Sequence, residues 1–333
     1  MSTVYASERR LVPQAPADLA RTLSVLRRGT HDPTVYVESA PGRTRVFMTA
    51  RIPEHEGSGV AAVLDQVATS GLMARAPIDV VAWGENPQEV EQFLASAERL
   101  TGLDDDWSAF AASPEFLLIP HHARAAYRLK PGLRLSATGW VFKQTVTAVF
   151  EQRVTGSEAI GAWQRLVRRN GSAPPPSPPG LASLPEGMSV FPTPRKWLSI
   201  PSWEWRRAGV DAHRADAIRR VADNAPALIG LTATADPGSV ARGLAGIRGI
   251  GPWTIAEAMQ RSHGLADAVS VGDYHMAHGV CFALEGKRGD DTRMLELLKP
   301  WAGNRQRVVR MLGLSGVKEP RRGPRVAPQS LAG

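Results

Sequence analysis

The sequence predicts an α+β protein, with a small strand-rich domain over residues 1–104 ahead of a mostly helical domain over residues 105–314. Three observations carry that prediction. Segments with the alternating polar and apolar pattern of a half-buried strand occur only before residue 104. The acidic run Asp104-Asp105-Asp106 marks a change of character. From there to residue 314 the apolar side chains recur at helical spacing, and no segment reads as a strand.

Taken in order, Val35 to Glu38 and Arg43 to Ala50 read as strands around a turn at Pro41-Gly42, and Ile78 to Gly84 as another. Pro87 to Leu100 puts Val90, Phe93, Leu94 and Leu100 on one helical face. Trp140 to Val154 and Ser157 to Arg169 read as helices. The second carries Arg165, Arg168 and Arg169 near its C-terminus, where the helix dipole favours them without any function. Ser172 to Gly180 holds five prolines and reads as a surface loop or polyproline segment. Ala212 to Ala225 is amphipathic, and Pro237-Gly238-Ser239 offers the next helix start. The tail from Ser315 to Gly333, rich in Pro, Gly and Arg, is expected to be disordered.

Apolar residues make up 43%, an ordinary share for a globular protein. No stretch approaches the roughly 20 apolar residues of a membrane span, and the N-terminus lacks the basic start and apolar core of a signal peptide. A cytoplasmic, nucleoid-associated location is therefore expected, with no membrane partner. The single cysteine, Cys281, cannot form an internal disulfide or hold zinc or an iron–sulfur cluster alone. Between Val280 and Phe282 it reads as a small buried hydrophobe. The net charge of +8 suits a polyanionic partner. An Arg-, Ala-, Gly- and Pro-rich composition is also what a GC-rich genome produces, so charge alone leaves nucleic acid open.

The informative stretch runs from Ser239 to Leu284. A helix from Ser239 ends at Arg248-Gly249-Ile250-Gly251, and Pro252 opens a second helix that closes near His263, a hairpin over residues 239–263. Two glycines two apart let backbone amides converge beside the unpaired amides of the second helix, a site suited to a phosphate. A plain turn between helices would use the same glycines. Asp273 follows Gly251 by 22 residues, in Val271-Gly272-Asp273-Tyr274, at the start of a helix from Tyr274 to Leu284. It reads either as an N-cap or as a carboxylate serving chemistry on a nucleotide. Asp273, His275 and His278 also invite a metal reading, which lacks a third strong ligand if the helix forms.

Leu244 to Thr254, followed by Val271-Gly272-Asp273-Tyr274, resembles the helix-hairpin-helix base-excision DNA glycosylases, the 3-methyladenine DNA glycosylase II branch above all. Phe150 to Thr155, Phe191 to Pro194, His213 to Ile218, and Pro300-Trp301 with Arg305 are similar to that branch in the same order. The likeness covers about residues 105–314; the N-terminal part resembles the branch's accessory domain more loosely.

The resemblance implies a monofunctional N-glycosylase acting on alkylated purines in double-stranded DNA, working as a monomer without a cofactor, with two helical subdomains flanking the active site. It assigns the catalytic carboxylate to Asp273. It assigns DNA contacts to Arg248, Gly249, Ile250, Gly251, Thr254, Arg153 and Arg305, with Arg153 at the wedge position that is often apolar elsewhere. Trp253 stands where strand-nicking relatives carry a lysine, and no lysine lies between Gly249 and Gly286. Its indole suits stacking on a cationic base, or core packing. Tyr274, Trp140 and Trp301 are further base-pocket candidates, and Glu257 stands where some relatives have an aromatic; it reads as a polar pocket residue or a solvated helix glutamate. The carbonyls of Ile247 and Gly249 are expected to hold a monovalent cation. The alternatives are a glycosylase for deaminated or mismatched bases and a non-catalytic lesion-binding module.

Overall fold

The structure, a computed structural model, describes residues 4–319 apart from 55 and 69–71. Five strands form one antiparallel sheet: Tyr5–Leu11 (β1), Val35–Ala40 (β2), Arg43–Ala50 (β3), Val60–Val67 (β4) and Ile78–Gly84 (β5), in the order β1-β5-β4-β3-β2. Because side chains alternate between faces, Val46, Met48, Ala62, Leu64, Val80 and Ala82 face one way. They pack under the helices Leu19–Leu23 and Pro87–Ala95. Phe47, Ala61, Val63 and Trp83 face the other way.

That second face is where the proline-rich segment goes. Leu181, Ala182, Leu184 and Met188 pack against it, Trp83 Nε1 donates to the Pro175 carbonyl at 3.1 Å, and Thr49 Oγ1 donates to the Ser189 carbonyl at 2.6 Å. The expected surface loop, residues 172–180, is exposed or half-exposed apart from Pro175. The sheet's second covering layer is the stretch that follows it, from Leu181 to Met188, with Ser172 and Val190 bridged across its base.

The strands β1 and β4 are absent from the sequence reading. The first is an edge strand whose Glu8, Arg9 and Arg10 stay exposed, the charged edge that resists pairing with another chain. The second is central and buried on both faces, so Val60-Ala61-Ala62-Val63-Leu64 shows no alternation. Other boundaries shift by a few residues: the Pro87–Leu100 pattern breaks at Ser96 into two short helices, and the helix expected from Trp140 spans Val141–Phe150. Residues 315–319 of the expected disordered tail are placed, with the last helix running Arg305–Ser315 to a left-handed cap at Gly316 and Glu319 accepting from Arg288 Nε at 2.5 Å. Residues 320–333 lie outside the described part.

The helical residues build two apolar cores. One contains Val141–Phe150, Gly156–Asn170, Ala212–Asp223 and the hairpin helices Pro237–Ala245 and Pro252–Ser262. The other contains Trp107, Phe110 and Phe116 with helices Tyr274–Glu285, Asp291–Leu298 and Arg305–Ser315. The sheet domain is stitched to both. Glu54 caps the helix Val141–Phe150 by accepting from the backbone N–H of Phe142 (3.0 Å) and Lys143 (2.8 Å), and Asp105 accepts from Leu135 N at 2.7 Å and from Arg307. Among the described residues no helix is long and apolar enough to cross a membrane.

Candidate active site

The hairpin glycines have different reasons to be glycine. Gly249 adopts φ 97°, which L side chains avoid, and a Cβ there would lie 3.1 Å from Ala217 Cβ. Gly251 has an extended backbone, φ −96°, as N-cap of Pro252–Ser262, and a Cβ there would meet nothing within 4 Å. The fold itself therefore does not require glycine here, and the helix N-terminus is left open to approach. Ile250, 6% exposed, plugs the core beneath, while Arg248 is exposed. Thr254 is buried rather than facing a ligand: its hydroxyl accepts from Gln152 Nε2 at 2.8 Å, and the same amide group donates to the Gly249 carbonyl at 3.0 Å.

Gln152 thus ties the turn after Val141–Phe150 to the hairpin, a role with no local signal in the sequence. The next residue, Arg153, is exposed and holds φ 54°, the positive-φ non-glycine among the described residues. That conformation costs roughly 1–2 kcal/mol for an L-residue. The expected cation carbonyls are already engaged, Ile247 O by the Ile250 N–H at 3.0 Å and Gly249 O by Gln152, while Arg220 Nη1 donates to Arg248 O at 3.1 Å. Each of these carbonyls keeps a second lone pair.

Asp273 is the N-cap of Tyr274–Glu285. Its Oδ1 accepts from the backbone N–H of His275 and Met276, both at 2.9 Å. Its Oδ2 takes no part in the cap and accepts from Trp253 Nε1 at 3.4 Å. The cap reading is borne out through Oδ1, while Oδ2 is held by the hairpin's second helix. Trp253 belongs to the hairpin's second helix and Asp273 to the helix of the other core, so their contact falls at the junction of the two helical lobes. Trp253 is half-buried and Tyr274 is 64% exposed, its ring 4.1 Å from that of His278 and 5.5 Å from that of His275. Trp253 and Asp273 are thus joined by a hydrogen bond, and Tyr274 follows Asp273 on the exposed first turn of its helix. Among the described residues no three His, Cys, Asp or Glu side chains gather as a metal site.

Three expected site residues are elsewhere or otherwise employed. Trp140, 4% exposed, packs in the sheet-domain core with its ring 6.5 Å from Phe93. Trp301, 5% exposed, donates Nε1 to the Glu115 carbonyl at 2.7 Å inside the second helical core. Both indoles are consumed by packing, so neither lines the space before Asp273. Arg305 clamps Asp267, with Nε donating to Oδ1 at 2.8 Å, and so holds the loop leading to Asp273.

Glu257 is neither solvated nor facing a base. It is 6% exposed, pairs with Arg261 at 2.7 Å, and accepts the Ser270 hydroxyl. Burial works to raise its carboxyl, but Arg261, the Ser270 hydroxyl and the nearby Arg28 together hold it below the usual glutamate range.

No protein-family model and no curated protein sequence matches the chain. The fold does have counterparts among solved structures. The class they define is that of DNA glycosylases, whose fold this chain shares. The 3-methyladenine DNA-glycosylase from Archaeoglobus fulgidus superposes with a TM-score of 0.67 at 17% identity, covering 91% of this chain and 97% of that one. The Clostridium acetobutylicum 8-oxoguanine glycosylase/lyase, solved with duplex DNA bearing cytosine opposite 8-oxoguanine, gives 0.59 at 10% identity over 94% and 98%.

Proposed function

We propose that this protein is a monofunctional DNA N-glycosylase of base excision repair that removes alkylated purines. The observation that carries the reading is the divided role of Asp273: one oxygen capped into the fold, the other left beside Trp253 at the lobe junction, 22 residues beyond a hairpin built to grip a phosphate. The shared fold of the 3-methyladenine and 8-oxoguanine enzymes supports it.

A base inside a duplex is out of reach, so the nucleotide must leave the stack, with the Gly249–Gly251 amides holding the backbone. Arg153, exposed on the turn that Gln152 locks to the hairpin, fills the space the base vacates. The extruded base enters between Trp253 and Tyr274, whose electron-rich faces attract a cationic purine. As the glycosidic bond lengthens, positive charge grows on the sugar. The second Asp273 oxygen stabilises that charge and orients the attacking water, whose addition breaks the C–N bond to free base and an abasic site.

Strand cleavage through a Schiff base needs an amine at the sugar. Trp253 occupies the position where the lysine of strand-nicking relatives falls, and no lysine lies between Gly249 and Gly286. The partner is double-stranded DNA containing a damaged base, bound by a monomer. The reading is tested by incubating wild type and Asp273→Asn with duplexes bearing alkylated, deaminated or oxidised bases and measuring the free base. Release of alkylpurine by wild type supports it; binding without release of any base would leave a lesion-binding module instead.

A further inference from the structure

Glu257 and Glu151 touch neither the hairpin amides nor the space before Asp273, yet each is one end of a buried ionic network. Glu257 holds Arg261 through Oε2 at 2.7 Å and the Ser270 hydroxyl through Oε1. Ser270 is fully buried; its hydroxyl also accepts from Gln260 Nε2 at 2.9 Å, and its carbonyl accepts the Asp273 backbone N–H at 3.2 Å. On the opposite side Arg28 of the sheet domain, 7% exposed, pairs with Glu151 at 3.0 Å. The Val25 carbonyl accepts from both guanidinium groups, Arg28 Nη1 at 2.8 Å and Arg261 Nε at 3.1 Å. Glu151 immediately precedes Gln152 and Arg153.

The network therefore meets both the Asp273 loop and the Arg153 turn. Two guanidinium groups, Arg28 buried and Arg261 largely so, share one carbonyl, and the buried Glu257 and half-buried Glu151 neutralise them. One carboxylate sits at the root of the Arg153 turn, and the other grips the loop that delivers Asp273. Such a cluster is costly to bury and loses most when one member is removed, so it has few alternative arrangements. The hydrogen bonds of Glu257 to Arg261 and Ser270, and of both guanidinium groups to the Val25 carbonyl, fix directions as well as distances, while Arg28 and Glu151 meet as an ion pair.

We propose that Glu257, Ser270, Arg28 and Glu151 are positioning residues, which hold the Asp273 carboxylate against Trp253 and the Arg153 turn against the hairpin. The N-terminal domain acts in the reaction by supplying the Arg28 counter-charge. The claim rests on the glycosylase reading for its kinetic part only; the placement of the loop stands apart from it. A reacting group displaced by about 1 Å can cost on the order of 100-fold in rate, which sets the scale expected.

The test uses the full-length protein and two mild variants, Ser270→Ala and Glu257→Gln, singly and together. Single-turnover base release, affinity for a duplex carrying an abasic-site analogue, thermal unfolding, and amide exchange across residues 265–276 are measured. Ser270→Ala is expected to slow release roughly 10- to 100-fold, with affinity within about twofold. Its amides at 271–276 exchange faster than wild type under conditions where global stability is matched. The double variant is slowed by less than the product of the two single effects, because both substitutions act on one coupled network. A lower melting temperature with wild-type release from the folded enzyme, and unchanged exchange at 271–276, overturns the proposal. Absence of release by wild type would refute the glycosylase reading alone; the exchange result would still decide whether Glu257 and Ser270 place the loop.

Discussion

Replacing Asp273 by Asn separates the helix cap from the catalytic task proposed for the second carboxylate oxygen. Oδ1 accepts from His275 and Met276 N–H at 2.9 Å, while Oδ2 stands 3.4 Å from Trp253 Nε1. Asparagine keeps one carbonyl oxygen, and Asn and Asp are about equally good N-caps, so Asp273→Asn retains the cap and loses the charge together with the acceptor for Trp253 Nε1. Asp273→Ala loses the cap as well. The missing cap costs about 1 kcal/mol, a fall in melting temperature of roughly 1–2 °C for a chain of 333 residues. Loss of an electrostatic group aimed at developing charge costs roughly 100- to 1,000-fold, about 3–4 kcal/mol in the barrier. The assay is single-turnover release from a methylated-purine duplex beside thermal unfolding of the same samples. Asp273→Asn is expected to melt within about 1 °C of wild type and to react at least ~100-fold more slowly; Asp273→Ala is equally slow and less stable. An Asn variant with the wild-type rate would refute the reasoning, reducing Asp273 to a cap.

Three more outcomes follow from the geometry. Gly251→Ala has an ordinary φ and open space, so it should melt like wild type but bind duplex DNA more weakly, whereas Gly249→Ala, at φ 97° and 3.1 Å from Ala217, should lose about 1–2 kcal/mol of stability as well; equal affinity of Gly251→Ala and wild type would contradict the phosphate site. Arg153→Gly relieves the positive φ and should raise stability by up to about 1 kcal/mol while slowing excision, and a stabilised variant with undiminished excision would remove Arg153 from the reaction. Burial pushes the Glu54 carboxyl up to about 8 against the bonds from Lys143 and Phe142, and pulls the Lys143 ammonium down to about 8 against Asp32 and Glu54. As pH rises to 8 the unfolded chain ionises Glu54 while the folded one keeps its proton, so stability falls. Above 8 the unfolded chain keeps the Lys143 proton that the folded one has lost, so stability rises. The melting temperature should pass through a minimum near pH 8, with the acid limb abolished in Glu54→Gln; a profile unchanged by that substitution would contradict it.

The hairpin and Asp273 were legible because their constraints are local. Glycines at a turn, proline at a first helical position and a cap residue act within a few positions of one another. Strands β2, β3 and β5 were legible for the same reason, since half-burial writes alternation into the chain. The central strand β4 was not, because burial on both faces erases the alternation, and β1 was not, because its exposed edge is polar almost throughout. Tryptophan is equally ambiguous: Trp253 stays at the site while Trp140 and Trp301 are spent on cores, and nothing in their neighbours distinguishes them. Glu257 misled for a long-range reason. Its partner Ser270 is 13 residues away, and the counter-charge Arg28 comes from another domain, so sequence spacing carries no trace of either. Gln152 bridging to Gly249, 97 positions on, belongs to the same class.

The central claim, hydrolysis of the glycosidic bond without strand cleavage, is tested most directly by one reaction read three ways. A duplex labelled on the damaged strand and carrying a methylated purine is treated with wild-type protein, then divided between direct electrophoresis, hot alkali and borohydride. The account predicts free alkylpurine, an intact strand until alkali is added, and no protein–DNA adduct with borohydride. Spontaneous nicking together with a borohydride-trapped adduct, or an undamaged strand after alkali, would contradict it.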